Sequence, residues 1–327
     1  MCLPDAADVE RFARDVARLI GRGGSGEPPR LALAVSGGAD SMAMLALAAA
    51  AFPGNISVGT FDHRLRAASA GEAQLVAGLC ATLGVPHVTL TPVRPISGAS
   101  IQAQAREARY DALLHWAVRE RCDFLLTAHH ADDQAETLLM RLNRASGLAG
   151  LAAIRPVRKA GEATIIRPLL GWRRTELRAV VTACAIPFVE DPSNDDPQHD
   201  RTRIRRLLAT NPELNPLALA ASAAFLEEAE EVIAREVRAL WEARWRGPDQ
   251  ALVLGDLPRE LQRRLLRRAV SEARRVSGIA QPRFGPATNV ETVLDSLAAG
   301  RNATIGGVMI VSKADGLVLR AAPPRRS

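Results

Sequence analysis

The chain has 327 residues, 47% hydrophobic and 24% charged, with a formal net charge of +6, enough apolar material for a sizeable core in two or more domains. No apolar stretch is long enough to span a bilayer, and the first 20 residues mix acids and arginines as a signal peptide does not. The four cysteines, Cys2, Cys80, Cys122 and Cys184, are never spaced C-x-x-C, which argues against a zinc knuckle, an iron–sulfur centre or a redox dithiol and suits a reducing cytoplasm.

Charge is unevenly spread. Residues 1–200 carry a net −1 and residues 201–327 a net +7, almost all of the positive charge as arginine. That is the distribution of a catalytic domain with an appended polyanion-binding portion, although arginines on solvated helix faces give the same count.

In chain order, a helix is predicted over about residues 8–20, followed by the loop "GRGGSGEPPR". Strand and helix then alternate: strands at 31–35, 56–61, 87–90 and 123–127, helices at 41–51, 69–83, 101–121 and 132–144, each read from its apolar period. This pattern predicts an α/β fold with a doubly wound parallel sheet. In such sheets ligands bind beyond the carboxyl ends of the strands.

Three polar clusters fall at strand ends. The first, "SGGADS" (36–41), joins a strand to a helix, where unpaired backbone N–H groups and the positive end of the helix dipole favour an anion. It is not a Walker A loop, since the chain has only two lysines, Lys159 and Lys313, both remote. A phosphate there must be held by backbone N–H groups, Ser36, Ser41, an arginine or a metal; a Gly-rich turn with Asp40 or Ser41 capping the helix is the plain alternative. The second, "FDHRLR", places Asp62 and His63 on the neighbouring strand's end, where they either contact the base or ribose of a nucleotide or form a helix cap or a surface turn.

The third is "TAHHADDQAETLLMRL". Asp133 and Glu136 are three apart and share a helix face, with His129 and His130 just before it. The carboxylates could bind an ammonium group or Mg²⁺, a histidine could contact phosphate or shuttle a proton, and Asp133 with Glu136 also fits a capping box.

A strand at "ATIIRPLL", a helix at "RRTELRAVVTAC" and the loop "VEDPSNDDPQHD" follow, then the basic run "DRTRIRRLL". Its arginines suit phosphate forks or a salt-bridged cluster with Asp195, Asp196 and Asp200. Residues 217–246 read as one long helix or a broken pair. The rest is a strand and helix in "ALVLGDLPRELQRRLLRRAVSEARR", whose arginines are candidate RNA-backbone contacts or a merely solvated face, and short strands joined by Gly-Gly and Asp-Gly turns. The expected division is 1–215 and 216–327, the second part smaller and mostly helical.

"SGGADS" resembles the pyrophosphate-binding loop of the N-type ATP pyrophosphatases. Together with "FDHRLRAASAGEA", "AREARYDAL", "TAHHADDQAETLLMRLNRASGLAGL", "IIRPLLGWRRTELR" and "FVEDPSNDDPQHDRTRIRRLL" it is similar to the tRNA(Ile)-lysidine synthetase family over about residues 30–210. The resemblance implies a Rossmann-like fold and a cytoplasmic ligase that spends ATP to attach free L-lysine to C2 of the wobble cytidine of tRNA(Ile) with a CAU anticodon. Adenylation of the base would release pyrophosphate, and displacement by lysine would release AMP.

It further implies that Ser36, Gly37, Gly38, Ala39, Asp40 and Ser41 hold the nucleotide's phosphates, that Asp40 places Mg²⁺, and that Asp62 and His63 lie near the adenosine. Asp133 and Glu136 would bind lysine, His129 would sit by the reacting phosphate, and Arg106, Arg109, Arg201 and Arg205 would contact phosphate or tRNA. No membrane is expected as a partner; a homodimer is one assembly open to such an enzyme. A sulfur-inserting tRNA thiolase would need paired cysteines, a small-molecule synthetase would leave the basic C-terminal part without a purpose, and an RNA-binding module without turnover would release no pyrophosphate.

Overall fold

The structure, a computed structural model, describes residues 3–21, 29–65, 68–98, 100–190 and 200–323. Cys2, Asp195 and Asp196 lie outside the described residues. Two units are present, Met1–Glu227 and Glu228–Ser327. They divide inside a single long helix, and the Asn- and Pro-rich stretch at 211–215 is only the turn before it.

The first unit is built on a six-stranded sheet in the order β3-β2-β1-β4-β6-β5. β1 (Leu31–Ala34), β2 (Ile56–Phe61), β3 (His87–Leu90), β4 (Phe124–Thr127) and β6 (Ala163–Ile166) are parallel, and β5 (Val157–Ala160) runs antiparallel at one edge. The apolar runs of β1 and β4 are buried on both faces, as central parallel strands must be, whereas Val157, Arg158 and Lys159 of β5 are exposed. That short, charged sequence lacks a strand's alternation and suits an edge that must not pair further.

α1 (Ala6–Ile20) is capped by Asp5, which accepts from the Ala7 N–H, and buries Phe12 and Val16. α2 (Ala39–Ala51) buries every residue from Ser41 to Ala48. Its nearly all-apolar sequence allows α1 on one side and α7 (Arg174–Ala183) on another to cover it. α3 (Ala68–Leu83) and α4 (Ile101–Arg119) complete the crossovers β2–β3 and β3–β4. Gly59 lets α4 sit close to β2: a Cβ there would lie 2.7 Å from the Trp116 ring. α5 (Ala131–Leu142), the short α6 (Leu148–Leu151) and α8 (Asp200–Thr210) follow.

The strand order reverses at β1: the chain runs outward from β1 through β2 to β3, then crosses to β4 on the other side. Ala34 of β1 is level with Gly59 of β2 and with Thr127 of β4. The loops leaving β1 and β4 therefore emerge side by side at the switch point, the usual ligand crevice of such sheets.

α9 (Pro216–Arg244) is one unbroken helix. In the second unit, α10 (Arg259–Val276) and α11 (Glu291–Ala298) pack on a three-stranded antiparallel sheet of β7 (Ala303–Ile305), β8 (Val308–Lys313) and β9 (Gly316–Ala321). Gly306 and Gly307, both at positive φ, make the two-residue turn between β7 and β8, the geometry that matches strand twist. The segment at 251–254, expected as a strand, contributes only one bridge, Leu252 to Leu317. Leu265, Leu266, Ala269 and Val270 of α10 form the centre of this core with Ile310 and Leu319.

Candidate active site

The loop after β1 is shaped by two glycines. Gly37 has φ +86°, which a side chain would strain, and its carbonyl accepts from the Val189 N–H at 2.9 Å. Gly38 is the N-cap of α2 and supplies no side chain to cap it; Asp40 and Ser41 lie inside the first turn, so the capping alternative does not hold. Ser41 Oγ instead ties the loop together: it donates to the Gly38 carbonyl (2.9 Å), accepts from the Ser36 N–H (3.1 Å) and lies 3.3 Å from Ser36 Oγ. A helix start with no side chain on its N–H groups is a ready anion site.

At the end of β2, Asp62 accepts from the Arg64 N–H (2.8 Å) and His63 Nδ1 from the Leu65 N–H (3.1 Å), so both form the local turn foreseen as the plainer reading. Burial alone would raise the Asp62 carboxyl, but Ser69, the Arg64 N–H and His63 together lower it. Both residues stand beyond the strand beside β1.

β4 delivers the other half. His130 is the N-cap of α5 and makes a capping box with Asp133: its Nδ1 accepts from the Asp133 N–H (3.3 Å) and Asp133 Oδ2 accepts from the His130 N–H (3.1 Å). The expected box of Asp133 with Glu136 is thus displaced by three residues, and Glu136 is released from any capping role. His130 Nε2 lies 3.4 Å from Asp40 Oδ2 and 3.5 Å from Asp133 Oδ2. Burial disfavours charge on the ring, yet Asp40, Asp133 and Asp132 raise its pKa above the ordinary value. His129, adjacent in sequence, behaves oppositely: burial pushes it down to about 3, with Asp133 opposing and Arg167, Arg106 and Arg201 assisting. Its Nδ1 is 2.9 Å from Thr127 Oγ1.

Asp133 and Glu136 do face the same way, and α8 meets them. Arg201 Nη2 donates to Asp133 Oδ1 (2.5 Å), Arg201 Nε to Glu136 Oε2 (2.6 Å) and Arg205 Nε to Glu136 Oε1 (2.9 Å). Burial would raise the Asp133 carboxyl, but His130, Arg201 and His129 hold it below the usual carboxylate range. Glu136 is only 2% exposed; a carboxylate so buried requires such partners. Arg203 pairs instead with Asp200.

Arg106 and Arg109 lie on α4 and take no part in this quartet. Their guanidinium carbons are 5.1 and 5.4 Å from the Tyr110 ring centroid, and Arg158 of β5 is 5.4 Å from the same ring. Arg167, just past β6, is buried and donates to the Arg155 carbonyl at 2.5 Å.

Sequence reasoning did not single out His130's bridging position, Asp132 or the Tyr110 cluster. Asp132 holds Arg173 through Nε and Nη2 and accepts from the Arg174 N–H at 2.8 Å, fixing α5 against the start of α7. The doubled carboxylate Asp132–Asp133 in "HADD" was the only signal for it. Asp40 Oδ1 is buried and has no hydrogen-bond partner, an acceptor suited to a hard cation. Among the described residues no group of three or more His, Cys, Asp or Glu side chains could hold a metal, so Mg²⁺ would need the nucleotide's own oxygens beside Asp40.

The arginines of α10 are committed within their own unit. Arg264 makes a two-pronged pair with Glu230 (2.6 and 2.7 Å), Arg259 binds Glu291 and Asp295, Arg263 binds Glu291 and Glu260, and Arg275 binds Glu272. Arg268 lies 4.4 Å over the ring of Trp241, which stacks on Trp245. Cys80, Cys122 and Cys184 are buried thiols, that of Cys80 pushed up to about 12 by burial, so none is poised as a nucleophile.

A switch-point loop with an uncapped helix start, beside a strand end rich in carboxylates, defines an ATP-binding α/β protein of the PP-loop class; residues 9–212 match the PP-loop domain family. A tRNA(Ile)-lysidine synthase of Novosphingobium aromaticivorans is 43% identical over 91% of this chain and 90% of its own, and one of Methylobacterium nodulans is 38% identical over 98% and 97%. The chain belongs to the tRNA(Ile)-lysidine synthase family. Among solved structures, the U34-tRNA thiolase NcsA of Methanococcus maripaludis, with its [4Fe-4S] cluster, matches with a TM-score of 0.55 at 17% identity, covering 68% of this chain and 79% of that one. That likeness is one of fold. Among the described residues no helix is long and apolar enough to cross a membrane.

Proposed function

We propose that this chain uses ATP to activate O2 of the wobble cytidine of tRNA(Ile) bearing a CAU anticodon, and then transfers lysine to C2. In the first step the cytidine oxygen bonds to the α-phosphorus and pyrophosphate leaves. In the second the lysine amine bonds to C2, the C2–O bond breaks and AMP leaves with that oxygen.

The observation that carries this reading is the position of His130, within 3.5 Å of both Asp40 and Asp133. It links the phosphate loop to the carboxylate pair. The loop from Ser36 to Ser41 holds the pyrophosphate end of ATP, and Asp62 and His63 lie toward the adenosine. Mg²⁺, when bound, neutralises phosphate charge, and Asp40 would hold it. His129, kept neutral, is a hydrogen-bonding rather than a charged neighbour of the reacting phosphate.

Asp133 and Glu136 receive the lysine ammonium. Arg201 engages both, so that a guanidinium of the chain stands where the substrate's cation would bind. Most of the catalytic work is placement and charge neutralisation, since adenylation itself creates the leaving group.

The test is the first half-reaction alone. Mixed with ATP, Mg²⁺ and a CAU-anticodon tRNA(Ile) transcript but no lysine, the enzyme should release pyrophosphate up to about one equivalent per active site. The same transcript with a GAU anticodon should release none. Equal release with both, or with neither while ATP binds, would reject the reading.

A further inference from the structure

Four arginines converge on one aromatic ring. Arg106, Arg109 and Arg158 lie within 5.4 Å of the Tyr110 centroid, and Arg167 shifts the acidity of the same phenol. Tyr110 is 9% and Arg167 5% exposed, whereas Arg106 and Arg158 are exposed. The cluster thus runs from the surface to a buried floor. None of the four arginines pairs with a carboxylate among the described residues, unlike the arginines of α8 and α10.

At the floor, Tyr110 Oη and Arg167 Nε are both buried without a hydrogen-bond partner. The Arg167 guanidinium lies close enough to the phenol to lower it. Buried positive charge with no carboxylate beside it, and buried polar atoms without partners, are costly, and a site that keeps them is built for an anion. Burial would raise the Tyr110 phenol, and the arginines around it outweigh this and lower it, a further sign of excess positive potential.

Topology separates this anion from the phosphate loop at 36–41. Arg167 follows β6, and Ile166 is level with Leu126 of β4, so the floor lies beside His129 at the carboxyl end of the sheet. β6 is two strands from β1, about 10 Å across the sheet, on the side opposite β2 with Asp62 and His63. A nucleotide spanning β1 and β2 leaves the β4–β6 side to the other substrate.

We infer that Tyr110, Arg106, Arg109, Arg158 and Arg167 form a binding site for a phosphodiester of the RNA substrate, next to the nucleotide being modified and distinct from the phosphate loop between β1 and α2. This rests on the lysine-transfer reading for the identity of the RNA. Exposed Arg158 and Arg106 would meet the phosphate first, and Tyr110 and Arg167 would donate to it from the floor.

The experiment compares wild type with Arg158→Ala, at an exposed position, and Tyr110→Phe, which removes one hydroxyl. Filter binding gives the Kd for the CAU-anticodon transcript across a salt series, and pyrophosphate release gives the KM for ATP. Arg158→Ala should weaken RNA binding by about 5- to 10-fold and flatten its salt slope by about 1, with the ATP KM within twofold of wild type; Tyr110→Phe should weaken RNA binding by about threefold or more. A transcript with one neutral methylphosphonate, moved through the anticodon loop, should have a position that weakens wild type but not Arg158→Ala further. A raised ATP KM with unchanged RNA binding would place the nucleotide's phosphates in the cluster and overturn the inference. So would two variants with wild-type RNA affinity, or methylphosphonate effects identical in wild type and variant. Failure of lysine transfer by wild type would count against the proposed reaction but not alter these binding comparisons.

Discussion

Arg201 holds Asp133 and Glu136 at once, its Nη2 2.5 Å from one carboxylate and its Nε 2.6 Å from the other. If a substrate ammonium binds the same pair, it must compete with this guanidinium. Arg201→Ala leaves Asp133 without its arginine, while Arg205 still holds Glu136. The variant should lose about 1–3 kcal/mol of stability, read as denaturant midpoint. Lysine at 10 mM should raise its Tm more than that of wild type, because a ligand stabilises most where it fills an empty partner's place. No difference in the lysine-induced shift would mean that the amine binds elsewhere.

Removing charge from the carboxylate pair should separate the two small substrates. Asp133→Asn keeps the shape and an acceptor while deleting the charge, so the KM for lysine should rise about tenfold or more, with the KM for ATP changing less than threefold. Steady-state kinetics with each substrate varied in turn checks this. An equal loss for both would assign Asp133 to metal or nucleotide binding, or to the cap it makes with His130.

The neutral state of His129 gives a pH signature. Its folded value is depressed mainly by burial, so below the unfolded value near 6.5 the unfolded chain binds more protons. Its contribution to stability is intact above about pH 6.5 and falls as the pH drops toward the folded value. Between pH 6.5 and 5.5 wild type should lose about 1 kcal/mol more than His129→Asn, measured as urea midpoints at each pH. Parallel profiles would show that His129 is charged in the folded protein.

In the second unit, the pairing of Arg264 with Glu230 has side chains 15% and 9% exposed. Breaking such a pair leaves a buried charge, so Arg264→Ala should cost about 3 kcal/mol of stability and change tRNA affinity at most twofold once folded. Thermal melts and filter binding on the same preparations test this. Tighter dependence of RNA binding on Arg264 than of folding would restore α10 as an RNA contact.

Much of the first unit was legible from sequence because its determinants are local. The apolar runs of β1, β2 and β4 and the polar clusters at their ends locate the sheet and its working edge. What was not legible depends on partners far along the chain. "RRLLRRAVSEARR" looks like an RNA-binding face until Glu230 and Glu291, about 30 positions away, are seen to bind Arg264 and Arg263.

The cap of α5 was misassigned by one turn for a similar reason. Histidine is a rare N-cap, and the Asp-x-x-Glu spacing offered a commoner box. The pairing of Asp133 and Glu136 with Arg201 spans 65 to 68 residues and follows from where α8 packs. The arginines around Tyr110 come from α4, β5 and the end of β6, so no window of sequence contains the cluster.

The most direct test of the central claim is transfer of lysine itself. Purified enzyme, ATP, Mg²⁺, radiolabelled lysine and a tRNA(Ile) transcript with a CAU anticodon should give label in RNA approaching one lysine per transcript, located at the wobble cytidine and absent when ATP is withheld. A folded protein that binds ATP and this transcript yet leaves the RNA unlabelled would contradict the account.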